Sequence, residues 1–165
     1  MGAVKTLHIV GYKNSGKTTL MNRWIRLLTE KGYRVFAIKH HAHDTPLAMP
    51  DERKDSFTYL QHGAYASVVA GAQLTQQIIV EELSFQQLQK VAHLHEPDMI
   101  LIEGYKYEKG DKVVFSRDLR EWESLKRIDG IKLVIGVADT YAVPVISSRT
   151  AKKELDRWFL SYVQS

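Results

Sequence analysis

The sequence predicts an α/β protein with a mostly parallel sheet that is covered by helices on both faces. Short apolar runs typical of strands alternate with segments whose apolar residues recur at helical spacing. A glycine-containing segment, residues 11–18, joins the first strand-like run to the first helical segment. No linker or repeat interrupts this pattern, so we expect all 165 residues to form a single domain.

The elements are predicted in order from periodicity and from turn residues. Strands are expected over 5–10, 33–38, 67–70, 77–80, 99–102, 112–116, 132–137 and 143–146. Helices are expected over 17–31, 55–62, 84–94, 120–127 and 151–163, with Ser84 as an N-cap. The first helix connects two strands, which predicts that 5–10 and 33–38 form a parallel pair.

Composition excludes several classes of protein. The chain has no cysteine, so disulfides and thiolate metal sites are excluded and a reducing cytoplasm is expected. No apolar run approaches the roughly 20 residues that a membrane helix needs. The net charge of +4 is compatible with an anionic ligand. Nucleic acid is not expected as a partner, because the basic residues form no dense stripe and no aromatic ladder accompanies them.

Residues 11–18 match the phosphate-binding pattern G-x-x-x-x-G-K-[ST], known as Walker A. Its glycines let consecutive backbone N–H groups point at phosphate oxygens, and the following helix adds positive dipole. Lys17 is expected to bind the β- and γ-phosphates, and the Thr18 hydroxyl to ligate Mg²⁺. The predicted nucleotide-binding residues of this loop are Gly11, Lys13, Asn14, Ser15, Gly16, Lys17, Thr18 and Thr19. The fold is therefore predicted to be a three-layer P-loop NTPase-like fold.

A second acid is needed to hold hydrated magnesium. Glu103 stands at the carboxyl end of the apolar run 99–102, where ligands bind in open α/β sheets. Asp98 stands at the opposite end and is interpreted as a strand-entry residue. We therefore predict Glu103, with Thr18, on the magnesium.

A histidine-rich loop follows the second strand. Lys39 is expected near the phosphates, and the segment His40 to His43 is either a metal site or part of a switch-like loop. We favour the switch-like loop, with Asp44 reaching toward magnesium or its waters. If the chain hydrolyses nucleotide, the predicted catalytic residues are Lys17, Glu103 and Asp44.

The sequence leaves the base open. The N-K-x-D motif of many GTPases is missing, but Asp139 follows the strand 132–137 and could accept a hydrogen bond from a guanine edge. Arg117 also follows a strand and is interpreted as a surface arginine. These motifs do not choose between GTP and ATP.

Several segments together resemble the molybdopterin-guanine dinucleotide biosynthesis adaptor protein B family. They are the phosphate-binding loop, Ile38-Lys39-His40 with His43 and Asp44, Lys54-Asp55-Ser56 with Gly63-Ala64, and Leu101-Ile102-Glu103-Gly104-Tyr105-Lys106. They occur in the right order over almost the whole chain. The loop 40–54 is poorer in glycine than is expected for the family, and an expected arginine after Ser56 is missing.

This resemblance implies a homodimeric GTP-binding protein with weak GTPase activity. Its cofactors would be GTP and Mg²⁺, and its partners the molybdenum cofactor guanylyltransferase and the molybdopterin cofactor. Strands from about 66–82 would contribute to the dimer contact. The alternative is an ATP-dependent small-molecule kinase, against which the shortage of clustered arginines in any lid-like insertion counts.

Overall fold

The computed structural model describes residues 4–41, 47 and 55–165. The chain divides into two compact units, of which the larger comprises Met1–Ala42 and Leu88–Ser165 and the smaller His43–Gln87. The elements in chain order are β1 (Lys5–Val10), α1 (Lys17–Thr29), β2 (Val35–Lys39), α2 (Asp55–Gln61), β3 (Ala66–Ala70), β4 (Thr75–Ile79), α3 (Phe85–Leu94), β5 (Met99–Glu103), β6 (Asp111–Ser116), α4 (Leu119–Leu125), β7 (Ile131–Gly136), β8 (Val145–Ile146) and α5 (Lys152–Gln164). None of the described helices is both long and apolar enough to span a membrane.

The larger unit is built on a six-stranded sheet of order β2-β5-β1-β6-β7-β8, and every pairing in it is parallel. The predicted sheet type is therefore confirmed. β5 is buried along its whole length, as the run of apolar residues from Met99 predicts for a central strand. All eight predicted strands occur, with boundaries that differ by at most two residues.

One predicted pairing is wrong. β1 and β2 run in the same direction, but β5 lies between them and pairs with both. The crossover through α1 therefore skips one position in the sheet. As a result Glu103, at the end of β5, is a direct neighbour of Ile9 in β1 and of Lys39 in β2.

Helices cover both faces of this sheet. On one face α1 and α5 bury apolar side chains against alternate strand residues, among them Leu7 and Ile9. Trp24 of α1 is fully buried and stacks on Phe159 of α5, with ring centroids 4.2 Å apart. On the other face Leu125 of α4 packs with Val10 and Val114. The period-2 alternation of β1 thus places its residues in two different layers.

Capping interactions set two of the helix starts. The predicted N-cap at Ser84 is confirmed: its hydroxyl accepts from Gln87 N at 3.3 Å, and the Gln87 side chain accepts from Ser84 N at 2.8 Å. α4 begins after Asp118, whose carboxylate accepts from Glu121 N at 2.9 Å.

The smaller unit contains α2 and an antiparallel hairpin of β3 and β4. Ala66 pairs with Ile79 at one end of the hairpin, and Gly71 N donates to Leu74 O at the other. Its apolar side chains Tyr65, Val68, Val69, Leu74 and Val80 are exposed.

Candidate nucleotide-binding site

The loop between β1 and α1 adopts a conformation that its glycines permit. Gly11 and Gly16 have φ values of 150° and 106°, and Asn14 lies in the left-handed region at 60°. A Cβ atom at Gly11 would stand 2.8 Å from Phe115 Cβ, so β6 packs against the loop too closely for a side chain. The loop therefore needs glycine at this position both for its backbone and for its packing.

Ser15 lies buried in the centre of this loop. Only 2% of it is exposed, and its Oγ has no hydrogen-bond partner among the described residues. A buried hydroxyl without a partner is unusual in folded proteins, because desolvating it costs free energy. This atom is the kind of group that a bound polar ligand would satisfy.

Lys17 begins α1 and folds back over the loop. Its Nζ donates to Tyr12 O at 2.6 Å. Partial burial lowers the pKa of Lys17, the nearby charges of Lys39 and Arg117 lower it further, and Glu103 opposes them. Desolvation thus disfavours the charged form of this ammonium, and a bound anion would stabilise it.

Thr18 and Glu103 meet at the edge of the sheet. The Thr18 hydroxyl donates to Glu103 Oε2 at 2.9 Å, and Lys39 Nζ lies 3.5 Å from Glu103 Oε1. Glu103 is 8% exposed. The structure therefore brings together the three residues that the sequence placed separately at the ends of β2 and β5 and the start of α1.

This pair of oxygen donors fits magnesium. Mg²⁺ prefers oxygen ligands and keeps several waters, so one or two protein donors and substrate phosphates suffice. Thr18 and Glu103 provide a hydroxyl and a carboxylate at one point, whereas the described residues contain no cluster of three or more acidic or histidine side chains suited to a metal. The donor set suits a metal that is shared with a phosphate rather than one held by the protein alone.

The segment after Glu103 is held against the end of β2. Gly104 has a φ of 100°, and a Cβ there would stand 3.0 Å from His40 Cβ. His40 N donates to Glu103 O at 2.9 Å, and the His40 ring stacks on Tyr105 with centroids 4.3 Å apart. His40 therefore supports the acid-bearing strand end.

Lys106 links the same segment to the phosphate-binding loop. Its Nζ lies 5.8 Å from the ring centroid of Tyr12 and 4.8 Å from that of Tyr107. Both distances are within the range of cation–π attraction. Lys106 thus adds a second contact between these two regions, besides the hydrogen bond from Thr18 to Glu103.

Two arginines lie on the other side of the loop, toward β6 and β8. Arg117 follows β6 and is paired with Glu121, which accepts from its backbone N at 2.8 Å and from its Nε at 2.6 Å. This pairing raises the pKa of Arg117 above its usual value. Arg149 follows β8, and its Cδ and Nη1 would lie 3.6 and 3.9 Å from a Cβ placed on Gly16.

The remaining predicted residues are distributed as follows. Thr19 is exposed in the first turn of α1, and Asp139 is exposed after β7, where no polar contact joins it to the loop within the described residues. Asp98 accepts from Arg34 N at 2.6 Å at the amino end of β5, as expected of a strand-entry residue. His43 and Asp44 lie outside the described residues.

Comparison with known proteins decides the family. The model of the family described as "MobB: Molybdopterin guanine dinucleotide synthesis protein B" matches residues 6–139. The chain belongs to the MobB family. The resemblance expected from the sequence is thereby confirmed.

Curated relatives and solved MobB structures agree with this assignment. A probable molybdopterin-guanine dinucleotide biosynthesis adapter protein of Bacillus subtilis is 30% identical over 128 residues, 78% of this chain and 74% of the relative. An adapter protein of Escherichia coli is 34% identical over 119 residues, 70% of this chain and 67% of the relative. A MobB homologue from Bacillus stearothermophilus superimposes with a TM-score of 0.78 at 31% identity, covering 96% of this chain and 97% of that one.

Sequence reasoning missed one residue near the loop of this MobB family member. Arg149 belongs to no motif, and its neighbourhood with Gly16 arises only because β8 ends close to the loop. The available signal was its position just after the last strand, since the carboxyl ends of parallel strands share one edge of the sheet.

Proposed function

We propose that this MobB family member is a GTP-binding accessory protein of molybdopterin guanine dinucleotide synthesis with weak magnesium-dependent GTPase activity. The observation that supports it most is the contact of Thr18 with Glu103 directly beside Lys17. A hydroxyl and an acid in this position are what a P-loop protein uses to hold the metal of a bound nucleotide.

The residues at the loop would have different roles in nucleotide binding. Backbone N–H groups and the Lys17 ammonium would bind the phosphates, while Thr18 and Glu103 would hold a magnesium ion, which would supply positive charge to offset that of the phosphates. In hydrolysis, water adds to the γ-phosphorus and the bond to the β–γ bridging oxygen breaks, which yields GDP and phosphate.

The contacts of Glu103 support the proposal that hydrolysis is slow. One of its carboxylate oxygens accepts from Thr18, the other proposed magnesium ligand, and the other lies near Lys39, so we assign Glu103 to the metal rather than to a general base. The predicted role of Asp44 remains a prediction. The activity we propose is therefore slow GTP hydrolysis by an adapter protein, not rapid enzymatic turnover.

The pathway is suggested by the relatives, two of which are named molybdopterin-guanine dinucleotide biosynthesis adapter proteins. By this analogy the partners are the molybdenum cofactor guanylyltransferase and the molybdopterin cofactor, in the cytoplasm. The choice of GTP over ATP rests on the same analogy, with Asp139 as the candidate that reads the base.

The hairpin β3–β4 is the proposed dimer contact. A two-stranded hairpin is marginally stable by itself, and this one exposes Val68, Val69 and Leu74. A second copy of the chain would cover these side chains. Sedimentation of the wild type as a dimer and of Val69→Asp as a monomer would support this, and a monomeric wild type would contradict it.

Calorimetric binding of GTP, ATP and XTP with magnesium tests the nucleotide proposal. Wild type is expected to bind GTP most tightly, Lys17→Ala to lose binding, and the control Lys31→Ala, an exposed residue beyond α1, to retain it. Unchanged affinity in Lys17→Ala would show that the loop is not the site.

Phosphate release then separates the accessory protein from the alternative kinase. We expect slow release from GTP that no small-molecule acceptor accelerates. Rapid transfer from ATP to an added acceptor would instead establish the kinase.

A further inference from the structure

Arg149 lies against the phosphate-binding loop although it belongs to none of its motifs. Its Cδ and Nη1 would lie 3.6 and 3.9 Å from a Cβ on Gly16, the residue directly before Lys17. Phe115 Cε1 lies 3.7 Å from the same point, so both side chains line the space beside Gly16. The loop after β8 therefore delivers a guanidinium to the start of α1.

The order of the strands defines two sides of the loop. β5 and β2, with Glu103 and Lys39, lie on one side of β1, and β6, β7 and β8 lie on the other. Magnesium in P-loop proteins bridges the β- and γ-phosphates. With its terminal phosphates at Thr18 and Glu103, a bound nucleotide can extend its α-phosphate and nucleoside across the loop toward the side of Arg149.

The charge of Arg149 is available on that side. Glu121 pairs with Arg117, and Glu103 pairs with Lys39. Arg149 is exposed and forms no ion pair with any of the described carboxylates. A planar guanidinium matches the geometry of phosphate oxygens and binds them with two parallel N–H donors.

We infer that Arg149 is a nucleotide-binding residue that contacts the α-phosphate from the loop between β8 and α5. The inference rests on the proposed nucleotide binding at the phosphate-binding loop and adds the direction in which the nucleotide lies. GTP and GDP share the α-phosphate, whereas the γ-phosphate belongs to GTP alone. Loss of Arg149 must therefore weaken both nucleotides equally.

The test is calorimetric binding of GTP and GDP, each with magnesium, to wild type, Arg149→Ala and Arg149→Lys. Removing one charge-assisted contact is expected to weaken both nucleotides about tenfold in Arg149→Ala. Arg149→Lys keeps the positive charge but not the two parallel N–H donors, so an intermediate loss of nucleotide affinity is expected. Arg120→Ala is the matched control, since Arg120 is also exposed and lies in the first turn of α4, the helix that follows β6.

The outcomes are distinct. A loss confined to GTP, a loss below twofold for both nucleotides, or an equal loss in Arg120→Ala would overturn the assignment. If Arg149→Ala lowers the unfolding temperature of the nucleotide-free protein, the Arg149→Lys affinities decide by the same criteria. Wild-type protein that binds neither nucleotide would refute the proposed function itself, whereas normal wild-type binding with an unaffected Arg149→Ala refutes only this inference.

Discussion

The Thr18 hydroxyl donates to Glu103 Oε2 at 2.9 Å and so joins the first turn of α1 to the end of β5. The same hydroxyl is the predicted magnesium ligand, which means that the acid is already oriented by the group it would assist. Lys39 holds the other carboxylate oxygen at 3.5 Å. The carboxylate is thus contacted from one neighbouring strand, β2, and from one helix, α1.

The first prediction concerns this carboxylate. Glu103→Gln keeps the shape of the side chain but removes its charge. The affinity for magnesium should therefore fall more than the affinity for the nucleotide itself. We expect the magnesium midpoint of GTP binding to rise about tenfold, as is typical when a group that supports a metal is replaced. The measurement is a magnesium titration of GTP binding, with the exposed Glu123→Gln as control. Magnesium titrations that overlay for wild type and Glu103→Gln would show that Glu103 is not a magnesium ligand.

The second prediction distinguishes backbone strain from crowding against His40 at Gly104. Gly104 and Gly63 both have a φ of 100°, but only at Gly104 would a Cβ meet another residue, His40, at 3.0 Å. Gly63→Ala should therefore show the cost of the backbone conformation alone, about 1–3 kcal/mol of unfolding free energy. Gly104→Ala should cost more and should also raise the magnesium midpoint, because His40 supports the end of β5. If urea denaturation gives equal losses of unfolding free energy for the two variants, the His40 side chain moves away from the added Cβ at little cost.

The third prediction is a pH dependence of stability that arises from His8. Burial lowers the pKa of His8 below 6.5, helped by the charge of Lys112 and opposed by the carbonyls of Gly104 and Lys109 and by Asp111. Because the folded protein holds His8 neutral, stability is complete above pH 6.5 and is lost as pH falls through the folded pKa. The slope can reach about 1.4 kcal/mol per pH unit for one proton.

Urea denaturation between about pH 5 and 8 measures this slope, since His titrates in that range. His8→Gln should flatten it, while the exposed His93→Gln should leave it unchanged. A slope that persists in His8→Gln would assign the pH dependence to other groups.

The fourth prediction concerns the contact between α1 and α5. Phe159 is fully buried and stacks on Trp24 at 4.2 Å. Phe159→Ala should lower the unfolding free energy by about 3–5 kcal/mol, because it removes apolar contacts and leaves a cavity. Chemical denaturation followed by tryptophan fluorescence measures it, and Ser161→Ala, on the exposed side of α5, is the control. A loss below about 1 kcal/mol would mean that the site collapses and refills.

Much of the molecule could be predicted from local patterns. Alternation and helical spacing located every strand and helix to within a few residues, and the phosphate-binding pattern placed Lys17 and Thr18. Glu103 was found because a buried strand ends there. These features depend on a few neighbouring residues, which is why one sequence sufficed.

The rest depends on strand order, which local patterns do not encode. The sequence predicted β1 and β2 as a pair, whereas β5 lies between them. Arg149 was missed for the same reason, since only the sheet brings β8 near the loop. The Lys106 contact with Tyr12 likewise joins segments whose proximity follows from the tertiary fold.

The position of β5 between β1 and β2 has a consequence for how the protein is made. Thr18 and Glu103 are 85 residues apart in the chain, and β1 must pair with β5 before they can meet. Closing so long a segment is slow compared with forming a helix or a hairpin. A chain emerging from the ribosome therefore carries its complete phosphate-binding sequence long before Thr18 and Glu103, the two proposed magnesium ligands, can meet. If the proposed nucleotide binding is correct, we expect it to require that well over half of the protein has been synthesised, and a chain that ends before β5 to lack the proposed metal-assisted binding.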